Sequence, residues 1–123
     1  MNRRTLPDRR SHVNQRMDIG GQVVYLGVGE YEDGGLGEIF INVHKAGTAL
    51  QATMSVAAIQ FSVQVQYGVP LDVILAPWKA SDFAPQGTVR GAEDLGVTSA
   101  SSILNAVAQV IEKGYGPNSQ GGG

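Results

Sequence analysis

Residues 22–44 read QVVYLGVGEYEDGGLGEIFINVH, two runs of strand character joined by an acidic, glycine-containing stretch. The first run, 22–28, is rich in β-branched residues and follows Gly20-Gly21, a two-residue turn signal. The second, 37–44, alternates Ile39, Ile41 and Val43 with Glu38, Phe40 and Asn42, the period of a half-buried strand. Between them, Gly29 to Gly35 reads as a turn, in which Asp33 forms an Asx turn with its following glycines. On the other side of Gly20-Gly21, residues 12–19 (HVNQRMDI) make a third run. Links this short predict three adjacent antiparallel strands.

Past residue 44 the period changes. From Thr48 to Tyr67 there is no Pro or Gly, and Leu50, Met54, Ala57, Phe61 and Val65 fall at helical spacing. Phe61, Val63, Val65 and Tyr67 also alternate with period two, but a strand of about twenty residues would be unusual. Gly68 and Pro70 stop this helix. A short apolar helix is expected at 70–79 and a loop at 80–97. A last helix, capped by Thr98 or Ser99, is expected to run to Lys113 with Ile103, Leu104, Val107, Val110 and Ile111 as its buried stripe.

Strands before helices predict an α+β fold, a small antiparallel β-sheet in the N-terminal half followed by two main amphipathic helices. Helices of this number cover one sheet face, so a homo-oligomer is expected, its subunits covering the rest. The chain divides into a basic extended arm (1–11), a single α+β domain (12–113) and a Gly-rich tail (114–123) expected to be disordered.

The chain has 123 residues, two histidines and no cysteine. The missing cysteine excludes a disulfide scaffold, a thiolate metal site and a cysteine nucleophile, and fits a reducing cytoplasm. No apolar run reaches the roughly 18–20 residues of a membrane span, and no apolar segment follows the N-terminal charges as in a secretory signal. Charge is unevenly distributed, with residues 1–16 carrying +4 and the remainder −6. A basic arm on an acidic body suggests either an anion-binding segment or an intersubunit strap lying on acidic surface. Binding to a nucleic acid polymer is not expected, because the body offers no positive face.

Catalytic motifs are missing. No Gly-Lys-Ser/Thr occurs, and Gly27-Val28-Gly29 has Glu32 where a dinucleotide fingerprint needs a third glycine. Glu30, Glu32 and Asp33 lack the alternation of an EF-hand loop. His12 and His44 have no carboxylate at i+3 or i+4, so no metal site is expected, and His44 reads as a structural residue. No Ser occupies a nucleophile elbow. No catalytic residue and no cofactor are assigned.

Binding has more support. The stretch from Trp78 and Lys79 through Phe83 to Gly87, Thr88, Val89, Arg90 and Gly91 combines aromatic rings, cations and turn residues. Aromatic faces stack on bases, arginine pairs with phosphate in a bidentate manner, and glycine lets backbone N–H groups approach. Trp78 and Phe83 could alternatively cap the helices as core. Ser99, Ser101 and Ser102 would add an anion-ready helix N-terminus.

Several motifs together carry a family resemblance. Leu6-Pro7-Asp8-Arg9-Arg10, Val24-Tyr25-Leu26, Gly29-Glu30-Tyr31-Glu32-Asp33-Gly34, Leu36-Gly37-Glu38-Ile39-Phe40-Ile41, His44-Lys45-Ala46-Gly47, Gln66-Tyr67-Gly68-Val69-Pro70-Leu71 and Thr98-Ser99 resemble the C-terminal TSCPD domain of adenosylcobalamin-dependent ribonucleotide reductases. The likeness spans roughly residues 4–113. Radical nucleotide reduction needs cysteines that this chain lacks, so the resemblance implies an accessory or repurposed module.

As a free-standing protein the chain also resembles the first family of phage Thoeris anti-defence proteins. These act as sponges for cyclic ADP-ribose signals, and some take up cyclic oligonucleotides. That resemblance implies a non-enzymatic homo-oligomer, dimer or hexamer, in the host bacterial cytoplasm, holding a cyclic nucleotide at subunit interfaces. Phe83 would stack on the base, Gly87 to Arg90 would supply loop contacts, and Arg9, Arg10 and Arg16 would reach a neighbour's site. Two departures stand out, Gly91-Ala92-Glu93-Asp94 in place of Gly-Asn-Asp, and Gln109 where relatives often place arginine. The alternative is an accessory or regulatory module of an adenosylcobalamin-dependent ribonucleotide reductase.

Overall fold

A computed structural model describes residues 2–116. Strand β1 (His12–Ile19) turns through Gly20-Gly21 into β2 (Gln22–Glu30), and β3 (Leu36–Val43) follows. Both turn glycines have positive φ, 57° and 93°, the mirror-image geometry that matches strand twist in a two-residue hairpin. Asp33 forms the expected Asx turn, its Oδ1 accepting the Gly35 N–H at 2.9 Å. Helices α1 (Thr48–Gln66) and α2 (Leu71–Ala80) come next, then β4 (Gly87–Arg90), a 3-10 turn (Glu93–Leu95), β5 (Ser99–Ala100) and α3 (Ile103–Tyr115).

The fold is α+β, with five antiparallel strands in the order β3-β2-β1-β4-β5. Strands do not all precede helices. The expected loop at 80–97 contains β4, which pairs with the far edge of β1 through Asp18↔Arg90 and Ile19↔Val89. Four residues are too few to show an alternation, and the pairing joins segments some seventy residues apart, so it is not legible locally. The last helix also begins later than expected. Ser99 and Ala100 pair with Thr88 and Gly87, which moves the cap to Ser102, whose Oγ accepts the Asn105 N–H at 2.8 Å. At its far end the helix reaches Tyr115, two residues beyond Lys113, while the tail from 117 lies outside the described residues.

The core lies on one sheet face only. Met17, Ile19, Val24, Leu26, Ile39, Ile41 and Val89 face Met54, Phe61, Leu75, Ile103, Val107 and Ile111, all nearly inaccessible to water. On α3 the buried stripe holds as expected except for Leu104, which is half-buried. On α1 it is rotated. Met54 and Phe61 are buried, but their companions are Ala58, Ser62 and Gln66 rather than Ala57 and Val65.

The rotation has a physical cause, because α1 lies along β3, an edge strand whose outer backbone groups would otherwise be bare. The Gln51 side chain accepts from Val43 N–H (2.7 Å) and donates to Ile41 C=O (3.0 Å). Ser62 Oγ accepts from Ile39 N–H (2.9 Å), and Gln66 Nε2 donates to Gly37 C=O (3.0 Å). These polar side chains take the place of a neighbouring strand and close the edge to pairing with another chain. Ser62→Ala should therefore cost about 1–3 kcal/mol, because it leaves a buried amide unpaired. Urea unfolding checks the loss, and faster hydrogen exchange at the Ile39 amide would locate it.

Val56 and Ile59 point outward on α1, 56% and 60% exposed. No charged residue occurs between Lys45 and Asp72, so this helix face is both apolar and uncharged.

Candidate functional site

The loop 81–86 is closed by hydrogen bonds onto the start of α3. Ser81 Oγ donates to Trp78 C=O and shares a hydrogen bond with Ser102 Oγ, while Ser101 Oγ donates to Ser81 C=O. The Phe83 N–H donates to Ser101 C=O (3.0 Å), joined there by Gln86 Nε2 (3.0 Å), and Asn105 Nδ2 donates to Lys79 C=O. This differs from the anion-ready terminus read from the sequence. Ser102 is the helix cap, Ser101 ties down the loop and Ser99 belongs to β5, so two of the three hydroxyls already serve the fold.

The residues proposed from sequence fall into three groups. Trp78 is half-buried with its ring 5.1 Å from that of Phe61, and half-buried Phe83 packs on the same core. Lys79 is ion-paired with Glu112 at 2.9 Å. Gly87 and Thr88 are exposed in β4, but Val89 is 2% exposed and its side chain is part of the core. Alternation along β4 then puts Thr88 and Arg90 on the opposite sheet face, where Arg90 lies across from Asp18 and near Arg16. Within one chain the aromatic pair and the arginines thus sit on different sides of the sheet. A ligand gripped by Phe83 and Arg90 together would need a second copy to supply one of them.

The third group is the arm, which binds its own chain. The Arg4 N–H donates to Gln66 C=O (2.8 Å), its guanidinium lies 3.6 Å from the centre of the Tyr31 ring, and it pairs with Asp33 at 3.1 Å. Arg3 Nε donates to Gln66 Oε1, and Arg10 pairs with Glu38 and donates to Pro7 C=O. The arm lies along acidic surface of its own chain, where the charge asymmetry suggested either an anion-binding segment or an intersubunit strap. Arg9 is exposed. The Gly35 N–H and the Arg4 guanidinium hold the Asp33 carboxyl below its ordinary pKa. This contact is therefore present at neutral pH and weakens in acid as Asp33 protonates.

A cleft of about 610 Å³ opens elsewhere, between the inner face of β1–β2 and the end of α3. Val13, Leu36, Leu95 and Val110 make it apolar, and Glu30 and Asp33 make its rim acidic, the wrong lining for an anion. The Tyr115 hydroxyl donates to Glu30 there, and burial together with this carboxylate pushes the phenol above its ordinary pKa near 10. A raised folded-state value means stability that is complete below pH 10 and declines as the unfolded chain's tyrosine ionises. Unfolding at pH 8 and at about pH 11 should show that decline, and Tyr115→Phe should reduce it.

Among the described residues no cluster of three or more His, Asp or Glu could hold a metal ion, and no helix is long and apolar enough to cross a membrane. Sequence reading did not single out the outer sheet face. The alternation of Glu38, Phe40 and Asn42 was legible, but their neighbours on β1 and β2 are set by register alone.

The TSCPD domain family matches residues 2–115. Vitamin B12-dependent ribonucleotide reductase of Bradyrhizobium diazoefficiens is 42% identical over 113 residues, covering 92% of this chain and 9% of that protein. The enzyme of the same description from Agrobacterium fabrum is 41% identical with the same coverage, and that of Rhodopirellula baltica is 31% identical over 97% of this chain and 12% of its own. The chain thus spans about a tenth of the length of these curated relatives. No solved structure matches it.

Proposed function

This chain belongs to the TSCPD domain family, and from that premise we propose that it is an accessory or regulatory module of an adenosylcobalamin-dependent ribonucleotide reductase. The observation that carries the reading is the alignment itself. Nearly the whole chain matches a small part of each reductase, as expected of a separable domain within a larger catalytic assembly.

The chain's own residues do not fit the cobalamin. Both histidines are exposed, His12 at the start of β1 and His44 in the turn after β3, and the apolar cleft beside α3 has no histidine in its lining. With no cysteine to carry a radical, what this chain contributes is binding and docking rather than reduction. The uncharged outward face of α1 supports a docking role, since Val56 and Ile59 together lie open to a partner.

The test uses the Bradyrhizobium reductase with its matching segment removed. Added chain should co-elute with the truncated enzyme and change its turnover or its response to nucleotides. Ile59→Glu, at an exposed position, should abolish co-elution without lowering the melting temperature. No association and no change in turnover would overturn the reading.

The second reading is the sequestering one, a non-enzymatic protein holding a cyclic nucleotide at homo-oligomer interfaces. It requires at least two copies of the chain, because one copy holds Phe83 with the core and Arg90 on the opposite face of the sheet. Incubation with cyclic ADP-ribose isomers, followed by heat denaturation, should release the signal intact. Degradation of the signal, or no depletion, counts against it.

A further inference from the structure

Register places one grid of side chains on the sheet face turned away from the helices. One row is Asn14, Gly27 and Phe40, and the next is Arg16, Tyr25 and Asn42. Asp18 follows on β1, with Arg90 beside it on β4. The His12 ring lies over Gly27 and packs against Phe40 with centroids 5.9 Å apart. Phe40 is 52% and Tyr25 38% exposed, so both rings are open to a ligand.

Two features open this face to a ligand. The first is Gly27 in the middle of β2, where a glycine weakens the strand and marks a close approach. Its φ is not positive, so it serves no turn, and a Cβ there would stand 2.9 Å from His12 Cε1. The glycine supplies the space that lets His12 cross β2 and reach Phe40, its ring inclined by 43° to the phenyl ring. The second is a contrast among polar side chains. Arg3, Arg4 and Arg10 of the arm are held by their own chain, whereas the side chains of Arg16, Arg90, Asn14 and Asn42, like that of the exposed Arg9, make no hydrogen bond or ion pair among the described residues.

We propose that this outer face binds a nucleoside polyphosphate, its base stacked on the Phe40–His12 shelf and its phosphates at Arg16 and Arg90. Aromatic faces accept any base, carboxamides hydrogen-bond base edges, and guanidiniums pair with phosphate oxygens. The dimensions agree. Strand and residue spacings put the Cα atoms of Phe40 and Arg16 roughly 12 Å apart and those of Arg16 and Arg90 roughly 8 Å apart. An arginine side chain spans the remainder on the first count, and a phosphate chain bridges the two guanidiniums on the second. Of the acidic groups on the face, Glu38 is ion-paired with Arg10, while Asp18 accepts from the Gly21 N–H and has no ion-pair partner among the described residues. The site does not depend on the reductase reading, since its ligand follows from the side chains alone.

Calorimetric titration of the full chain with ATP, with adenosine and with inorganic triphosphate tests the proposal. ATP should bind saturably and more tightly than either fragment. Phe40→Ala and Arg16→Ala should each weaken it about tenfold or more while leaving the melting temperature unchanged, since both positions are exposed. Amide shifts on ATP addition should fall in residues 14–16, 25–27 and 40–42. No saturable binding at millimolar ATP, or ATP binding unaffected by both variants, would overturn the site. Triphosphate binding as tight as that of ATP would overturn the stacking shelf. A dimer dissociated by Phe40→Ala, with no ATP bound, would mark the face as a contact between copies and overturn the proposal as well.

Discussion

Phe61→Ala should lower stability by about 3–5 kcal/mol, the usual cost of removing a buried aromatic side chain. Phe61 is 1% exposed, sits on the α1 face that meets the sheet, and packs against Trp78. Truncation leaves a cavity bounded on one side by β-strand side chains that cannot follow it, because they are fixed in a hydrogen-bonded sheet. In a chain of this length the loss corresponds to a melting temperature lower by roughly 10–20 °C. Denaturant titration should show a shifted midpoint with an unchanged slope. The effect should extend to the candidate loop, since Trp78 leads into Ser81 and Phe83. A loss under about 1 kcal/mol would mean that α2 moves in to fill the space.

Gly91→Ala is the second large effect, and it couples stability to the sheet face that carries Arg90. Gly91 has φ +98°, and a Cβ would stand 2.6 Å from the Arg16 carbonyl oxygen, backbone that cannot yield without parting β4 from β1. Strain alone costs about 1–3 kcal/mol. Gly34→Ala provides the comparison, because Gly34 also has positive φ (84°) but a Cβ there would meet nothing within 4 Å. The excess of Gly91→Ala over Gly34→Ala measures the clash. Hydrogen exchange should quicken across residues 87–91 in the first variant and remain unchanged there in the second. Equal losses would show that β4 accommodates the methyl group by moving.

The legibility of this protein varied with the range of the interaction that decides each feature. Gly20-Gly21 announced its hairpin and Asp33 its turn, because both depend on neighbours within a few residues. The strap at the N-terminus was half legible. Five arginines on an acidic body suggested an anion-binding segment or an intersubunit strap, and Asp33 and Glu38 of the same chain became partners of Arg4 and Arg10 only through folding. The stripe of α1 was misplaced because hydrophobic spacing ranks Val65 above Ser62 and Gln66. The buried side chains are the polar ones, selected by the bare edge of β3.

The candidate site divides along the same line. Residue chemistry alone marked Phe83 and Arg90 as groups suited to a nucleotide, and the lack of cysteine removed radical chemistry from this chain. Sequence also sufficed for the first three strands and the three helices, since period two and period 3.6 are properties of the chain itself, but not for the short β4 and β5. Only the tertiary structure decided which sheet face each residue joins. One buried valine at 89 turns Arg90 outward, and one distant pairing sets it beside Asp18 and Arg16, because a strand's faces alternate residue by residue and its neighbours come from anywhere in the chain.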